Sequence, residues 1–566
     1  MGSEEITGHK IGQKVWTAIL LLIVLGFYLF TMQPSLAWGD GAKLQLEAVT
    51  GESFIFTDFP DEMFAHDHFP FAKLGVAAWD HPLYVVMGHT LVRLLPDVHA
   101  LWLVNLLSVV FGAGSVIVLF RFLLEGTGRL WASTGVALLL AVSHTFWWHS
   151  ATPEVYTLFI FLVLLTVYLY TQYERSSNIH YLWGAAFVLG LSAANHIMSF
   201  LVAPAFVLNY ILKRERLDIR TLNIRKIFPT TLAFFTGASL LVVQSGRMLQ
   251  VFPIGELLGP VVGSVFISQL LSTTVSDLLT SLISYLVFTF LQFGPLGMVL
   301  GIIGLGFARH TYAPLWRKTF SFYFVFAAFG VLYRVSDQFA FFLSAHVFFA
   351  LAIGLGTAYL LDKMRIVHQK WVYISLIASI MVMPILYRTI PGIAASLNIN
   401  DKTIGIPQIG IGMRNGLAYY MDPYKRGDRA PYDFGLETIA ALPQDAFVVA
   451  QWYPDTDEYL ILRYFAAVEG LRPDITVAGW TPVDPFAFDA RIVVQAIEDE
   501  VMRRPVFLAS LDVDFYQADH LMRIYCIAID ANLYRVYPFG PNESEAAQID
   551  CLSDLDLLIY TFPRGN

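Results

Sequence analysis

Charge is scarce in this chain. Only 14% of its 566 residues are Asp, Glu, Lys or Arg, while 56% are hydrophobic, and the mean hydropathy is +0.58. A soluble protein of this length would expose far more charge, so the composition excludes an ordinary globular enzyme and points to the bilayer, where each spanning helix takes roughly 20 apolar residues. The net charge of -9 argues against nucleic acid as a partner. Cysteine is nearly absent: Cys526 and Cys551, both near the C-terminus, are the whole supply. No glycine-rich phosphate cradle and no His-Glu-x-x-His helix occurs. Internal repeats and low-complexity tracts are also missing.

What is present is a series of apolar runs. Residues 15–32, 100–122, 130–146, 155–170, 181–194, 199–212, 227–243, 288–307, 320–335, 339–361 and 371–387 read as candidate spans, about eleven in all. The first is too long for a signal core and lacks a clear small-residue cleavage site, so it reads as a retained anchor. Residues 251–284 are apolar but broken by Pro253, Gly255, Pro260 and Gly263, and read as interfacial helices. With eleven spans, the basic loops fall on the N-terminal side. They contain Lys10 and Lys14, Arg121 and Arg129, Lys213 to Lys226, Arg309 to Lys318, and Lys363 to Lys370. The positive-inside rule makes that side cytoplasmic.

After Arg388 the composition changes. Residues 447–452, 475–480, 506–511, 534–538 and 557–562 read as strands, and 458–469 and 486–503 as amphipathic helices. The expected architecture is a polytopic α-helical membrane domain, residues 1–392, followed by an extracytoplasmic α/β domain, residues 393–566. An odd number of spans places the second domain outside, in a compartment where a Cys526–Cys551 bridge persists if formed. Two separate buried thiols fit the sequence equally well.

The outward side gathers polar chemistry. Asp40 follows the first span by a few residues. A carboxylate held at a membrane surface can serve as general base, and attack of a hydroxyl on a sugar carbon needs one. It is equally an ordinary acid at a helix end. Glu154, after Pro153, suits a helix N-terminus without any further role. Asn195 and His196 interrupt an apolar hairpin, which is costly unless they are paired or line a wet cavity. His81 and His149 are hydrogen-bonding groups at the interface. Arg247 and Arg334 stand at outer span ends, suited to clamping a phosphate or to reaching headgroups. Asp337 lies three residues from Arg334 and within pairing distance of it. The run Asp58, Asp61, Glu62, His66, Asp67 and His68 matches no metal template, so no metal ligand is assigned and a solvated acidic loop is expected.

These segments together resemble the bacterial and animal group of transmembrane protein O-mannosyltransferase-like proteins, within the GT-C superfamily of lipid-linked sugar transferases. The landmarks run in order: Tyr28 to Asp40; Leu74-Gly75-Val76 with Pro82-Leu83-Tyr84; Val104 to Ser108; Ser143 to Trp147; Glu154-Val155-Tyr156; and Gly190-Leu191-Ser192 with Asn195-His196. Asp455-Thr456-Asp457 and Glu469 to Asp474 complete the series. The resemblance implies an inverting transferase using a polyprenyl- or dolichyl-phosphate-linked sugar and an extracytoplasmic protein or glycan hydroxyl as acceptor. It also implies Asp40 as base and Glu154, Asn195 and His196 as pocket residues. On this reading no cofactor is assigned beyond the lipid-phosphate sugar, membrane lipid is the other partner, and the protein sits in the bacterial inner membrane with a cytoplasmic N-terminus and a periplasmic C-terminal domain.

The chain departs from the pattern at three places. Lys43 stands where the group carries an acid, and is a candidate contact for the donor phosphate. Residues Glu52 to Pro70 form an insertion. The proline-rich segment is reduced to Asp80-His81-Pro82. These departures support a second reading, an inactive scaffold of the same fold. A transporter or flippase would need polar groups deep in several spans, whereas Leu158 to Val167 is almost wholly apolar.

Overall fold

The computed structural model describes residues 3–51, 81–213, 224–249, 267, 272–335, 338–399, 416–451, 456–480, 490–538 and 550–553. The chain begins with α1 (Ser3–Thr31), α2 (Asp40–Thr50), α3 (Pro82–Leu94), α4 (Ala100–Thr127), α5 (Leu130–Ala141) and α6 (His144–Ala151). Next come α7 (Val155–Ser176), α8 (Ile179–Asn195), α9 (Val202–Lys213), α10 (Ile224–Gly237) and α11 (Ser239–Met248). The membrane part closes with α12 (Val275–Phe307), α13 (Ala313–Leu332), α14 (Gln338–Lys363) and α15 (Ile366–Ser396).

Among the described residues six helices are long and apolar enough to cross a bilayer, namely α1 from Gly12, α4, α7, α12, α14 and α15; the number rises to eight if the bent pairs α5–α6 and α10–α11 each count once. Every one of the eleven expected spans falls on helix. The three beyond eight coincide with α8, α9 and α13, which do not meet the length and hydropathy requirement by themselves. The expectation for residues 251–284 lies mostly outside the described residues. Its last ten residues belong to α12, because Thr274 and Asp277 form a reciprocal capping box that starts the helix there.

The bundle is built around α14, whose apolar window is 89% buried. Small residues permit that burial. A Cβ on Gly356 would lie 1.9 Å from the carbonyl oxygen of Leu300, and one on Gly304 would lie 1.9 Å from that of Ala352. Backbones can approach this closely only where both helices carry glycine. By contrast α1 and α15 bury 22% of their windows, and residues such as Leu22, Ile377 and Ile385 face outward, as lipid contact requires.

The C-terminal region contains α16 (Gly416–Met421), α17 (Ala430–Ala441), β1 (Phe447–Gln451), α18 (Thr456–Arg463), β2 (Thr476–Trp480), α19 (Ala490–Val501), β3 (Val506–Leu508), α20 (Val513–Tyr516), α21 (Ala518–Ile524), β4 (Tyr525–Asp530) and β5 (Leu533–Pro538). Its mixed sheet has the order β2-β1-β3-β5-β4; β1 pairs in parallel with β2 and β3, and β5 runs antiparallel to β3 and β4. Val448 and Ala450 of β1 join a core with α17 and α18, whereas Phe447 and Val449 join one with α19 and α20, the alternation a pleated strand imposes. The 534–538, 447–452, 475–480 and 506–511 strands are thus present with small shifts in their ends. Strand β4 was not anticipated, and 557–562 lies outside the described residues. Cys526 and Cys551 are disulfide-bonded.

The Glu469 to Asp474 segment is a helix-end device. Arg472 donates to the carbonyl oxygens of Ile439, Leu442 and Pro443 at the end of α17, satisfying acceptors that a helix C-terminus leaves open. Its hydrogen bond to Asp474, at 2.7 Å, holds that carboxyl well below the usual range.

Candidate active site

The segment between α1 and α2 must turn a buried chain around at the bundle rim, and its polar backbone is satisfied by two amides. Gln45 accepts from the backbone N–H of Ala37 at 2.9 Å and donates to Ser35 and to Asn105 Oδ1 at 3.0 and 2.8 Å. Asn105 of α4 donates in turn to the carbonyl oxygens of Gln33 and Ser35. Gly39 then takes φ 59, ψ -138, a conformation closed to residues with a Cβ, and sets Asp40 as the first residue of α2. Gly41 keeps α2 against the chain before α7: a Cβ there would lie 3.1 Å from Pro153 Cγ and 2.9 Å from Ala37 Cβ.

A 64° bend separates α5 from α6. The first N–H groups of α6 would be orphaned inside the bundle. They are met by side chains from elsewhere: the His144 N–H donates to the Tyr387 hydroxyl, and the Thr145 N–H to Gln292 Oε1 at 2.8 Å. Gln292 precedes a break in α12 at Gly294, where φ is 65. These interlocked breaks hold α6 so that Trp148 and His149 face Asp40's side of the rim.

At the start of α7, the Glu154 N–H donates to Ser108 Oγ at 2.9 Å, and Tyr84 shares that hydroxyl at 3.0 Å. The third participant is α16. Its Tyr420 carbonyl oxygen meets His144 Nε2 at 2.8 Å, and its Tyr419 carbonyl oxygen accepts from Trp148 and Lys425. The Lys425 ammonium lies 3.9 Å from the Tyr419 ring centroid and 5.7 Å from that of Trp148.

These elements enclose a cavity of about 100 Å³. Asp40 and Glu154 supply two carboxylates, His149 an imidazole, and Trp38, Trp148, Tyr156, Phe339, Tyr419 and Tyr420 an aromatic wall. Asp40 is exposed at the mouth, so its carboxylate is desolvated only when something covers it. His149 is 1% exposed, with Tyr156 and Phe339 ring centroids at 4.9 and 5.8 Å. Neither of its ring nitrogens has a hydrogen-bond partner among the described residues.

The other expected site residues lie outside the lining. His81, Asn195 and His196 sit together behind Tyr156. His81 Nδ1 is 2.9 Å from the Asn195 carbonyl oxygen, the His81 and His196 ring centroids are 5.0 Å apart, and His196 lies 5.3 Å from the Tyr156 ring. Asn195 donates to the Val155 carbonyl oxygen, bracing α7 at its start. Lys43 is buried on α2, with Nζ 4.0 Å from Glu47. Arg334 pairs with Asp277 at 2.8 Å; Asp337, its expected partner, lies outside the described residues. Arg247 belongs to α11, with its side chain outside them. The Asp58 to His68 run is also outside, and no group of three His, Cys, Asp or Glu suited to a metal occurs among the described residues. Sequence reasoning missed the aromatic wall, which comes from four separate parts of the chain.

Two ArnT structures from Cupriavidus metallidurans superimpose on nearly the whole chain. The apo form aligns with a TM-score of 0.52 and 13% identity, covering 93% of this chain and 98% of that one. The form bound to undecaprenyl phosphate aligns with a TM-score of 0.51 and 12% identity, with the same coverage. The protein has the ArnT fold. Within it, residues 72–219 match the family described as the protein O-mannosyl-transferase TMEM260 N-terminal domain, in agreement with the resemblance in the sequence. That stretch carries α3 to α9, and with them Trp148, His149, Glu154 and Tyr156 of the cavity. The Archaeoglobus fulgidus oligosaccharyltransferase in complex with zinc and sulfate aligns at a TM-score of 0.45 and 11% identity, covering 93% of this chain and 72% of that one. No curated protein sequence matches the chain.

Proposed function

We propose that the protein is an inverting glycosyltransferase that moves a sugar from a polyprenyl-phosphate carrier to a hydroxyl on a protein or glycan outside the cytoplasm. The observation that carries the reading is the meeting of Asp40, Glu154 and a His149 without hydrogen-bond partners among the described residues, in one aromatic-walled cavity at the rim of the bundle. In the reaction the acceptor oxygen bonds to the anomeric carbon from the face opposite the phosphate. The bond from that carbon to the phosphate oxygen breaks, and the acceptor proton passes to Asp40. The electron pair leaves with the lipid phosphate. His149 donates a hydrogen bond to the sugar-phosphate as charge grows on the leaving oxygen, and Glu154 orients a sugar hydroxyl. Lys425, behind Trp148 and Tyr419, adds positive potential. Aromatic faces suit the apolar side of a pyranose ring.

ArnT was crystallised with undecaprenyl phosphate, and we extend that ligand class to this chain. The cavity of about 100 Å³ is smaller than the ~300 Å³ at which small-molecule sites begin, so donor entry displaces the α16 tyrosines. Eleven crossings are taken, with α8, α9 and α13 included; the basic loops then assign a cytoplasmic N-terminus and leave residues 393–566 outside. Native mass spectrometry of the purified protein tests the donor class: undecaprenyl phosphate is retained by the wild type and lost on Trp148→Ala. Equal retention by both proteins would count against this pocket.

A further inference from the structure

At the end of the bundle away from Asp40 lies a second cavity, of about 350 Å³. Its walls are the last turns of α7 and α9 and the first turn of α13, and they bring together Arg175, Lys213, Arg317 and Lys318 with a single carboxylate, Glu174. Lys318 is buried and spends its charge on Glu174 at 2.5 Å. Arg175 is held in place by Glu125 at 3.0 Å, and Glu125 itself is fixed by Arg121, Tyr168 and Gln172. Arg317 makes no ion pair among the described residues. The recess therefore has a net-cationic lining, with Arg175 and Lys318 anchored.

Its depth relative to the first pocket identifies the setting. Helix α7 runs from Glu154, in the Asp40 cavity, to Glu174 and Arg175 here. At 1.5 Å per residue that is about 30 Å, the thickness of a hydrocarbon core. The recess thus lies at the headgroup level of the opposite leaflet. An apolar track leads from it toward the bilayer interior. Val207 and Ile211 of α9 are exposed in the turns before Lys213. On α13, Phe324 is exposed two turns from Arg317, at the end of a stacked Trp316–Phe320–Phe324 series.

We propose that this recess binds the phosphate of an anionic phospholipid, with Arg317 and Lys213 contacting the headgroup and the acyl chains lying along α9 and α13. A phosphate group is the shared chemistry of a lipid headgroup and free phosphate; the apolar track favours the lipid. The site is separate from the Asp40 pocket.

The test uses the full-length protein in phosphatidylcholine nanodiscs with and without phosphatidylglycerol, and native mass spectrometry of the lipid retained on release. Wild type should retain phosphatidylglycerol selectively. The Lys213→Gln/Arg317→Gln double variant should lose that retention by roughly tenfold, the scale of a lost charge-assisted hydrogen bond. Arg317→Lys should keep part of it. Arg309→Gln and Lys370→Gln, basic positions at the same end but outside the recess, should behave as wild type. Retention unchanged in the double variant would overturn the site, and equal losses in the controls would reduce it to general surface charge. Displacement of the lipid by inorganic phosphate at matched ionic strength would overturn the lipid as occupant.

Discussion

His149 has its ring closed in by Tyr156 and Phe339 while both nitrogens stay without partners among the described residues. A buried polar group left unpaired costs stability, about 1–3 kcal/mol, so an occupant of the cavity is the natural acceptor of its N–H. His149→Phe keeps the shape of the ring. We expect this variant to unfold no more readily than wild type, while transfer falls at least tenfold; thermal unfolding and sugar incorporation measured on the same preparations check the pair. Loss of fold with loss of transfer would make the histidine a packing residue. The two carboxylates, Asp40 and Glu154, were legible because acids beside apolar runs stand out. The wall was not: Trp38, Trp148, Phe339 and Tyr419 look like ordinary aromatic residues of a membrane protein until folding brings them to one place. His81, Asn195 and His196 were visible as polar breaks, but it is the fold that sets them behind Tyr156.

The turn from α1 into α2 is held by three hydrogen bonds of Gln45. Replacing it by leucine leaves the Ala37 N–H, the Ser35 carbonyl and the Asn105 amide oxygen to find other partners. A destabilisation of about 2–3 kcal/mol follows, with reduced transfer because Asp40 loses its fixed position. The unfolding midpoint followed by tryptophan fluorescence measures the first effect; an unchanged midpoint would show that the amide network is dispensable. Helix positions were largely readable, since eleven apolar runs all became helix. Their breaks were less so. The α5–α6 bend carries no proline, and the break of α12 at Gly294 and Pro295 is fixed by contacts with α6 and α15. Residues 275–284, expected as interfacial helix, form the start of α12, which a capping box at Thr274 and Asp277 opens.

Over the whole molecule, the two halves read from composition share one core. Leu36, Trp38, Leu46 and Leu101 pack with Phe434, Tyr459 and Phe465 of the C-terminal region, so the proposed boundary at residue 393 marks a change in composition more than a break in packing. The Cys526–Cys551 bridge ties a segment 25 residues apart to β4. A loop of that length corresponds to about 3.5 kcal/mol of stabilisation. Cys526→Ser/Cys551→Ser should therefore lower the unfolding temperature of the C-terminal region and leave transfer intact. In sealed inside-out vesicles, unless the membrane is opened, a thiol reagent that cannot cross membranes should fail to label either single-cysteine variant. Labelling in closed vesicles would place the region on the inner side and reverse the topology.

The proposed transfer depends on Asp40 removing a proton from an acceptor while a lipid-borne sugar sits in the rim cavity. Mass analysis of exported proteins and envelope glycans tests it, comparing cells that carry wild type, Asp40→Asn or no copy of the gene. A sugar-mass addition should be present with wild type and missing in both other strains, with the Asp40→Asn protein made in normal amount. The same addition at undiminished level in the Asp40→Asn strain would contradict it.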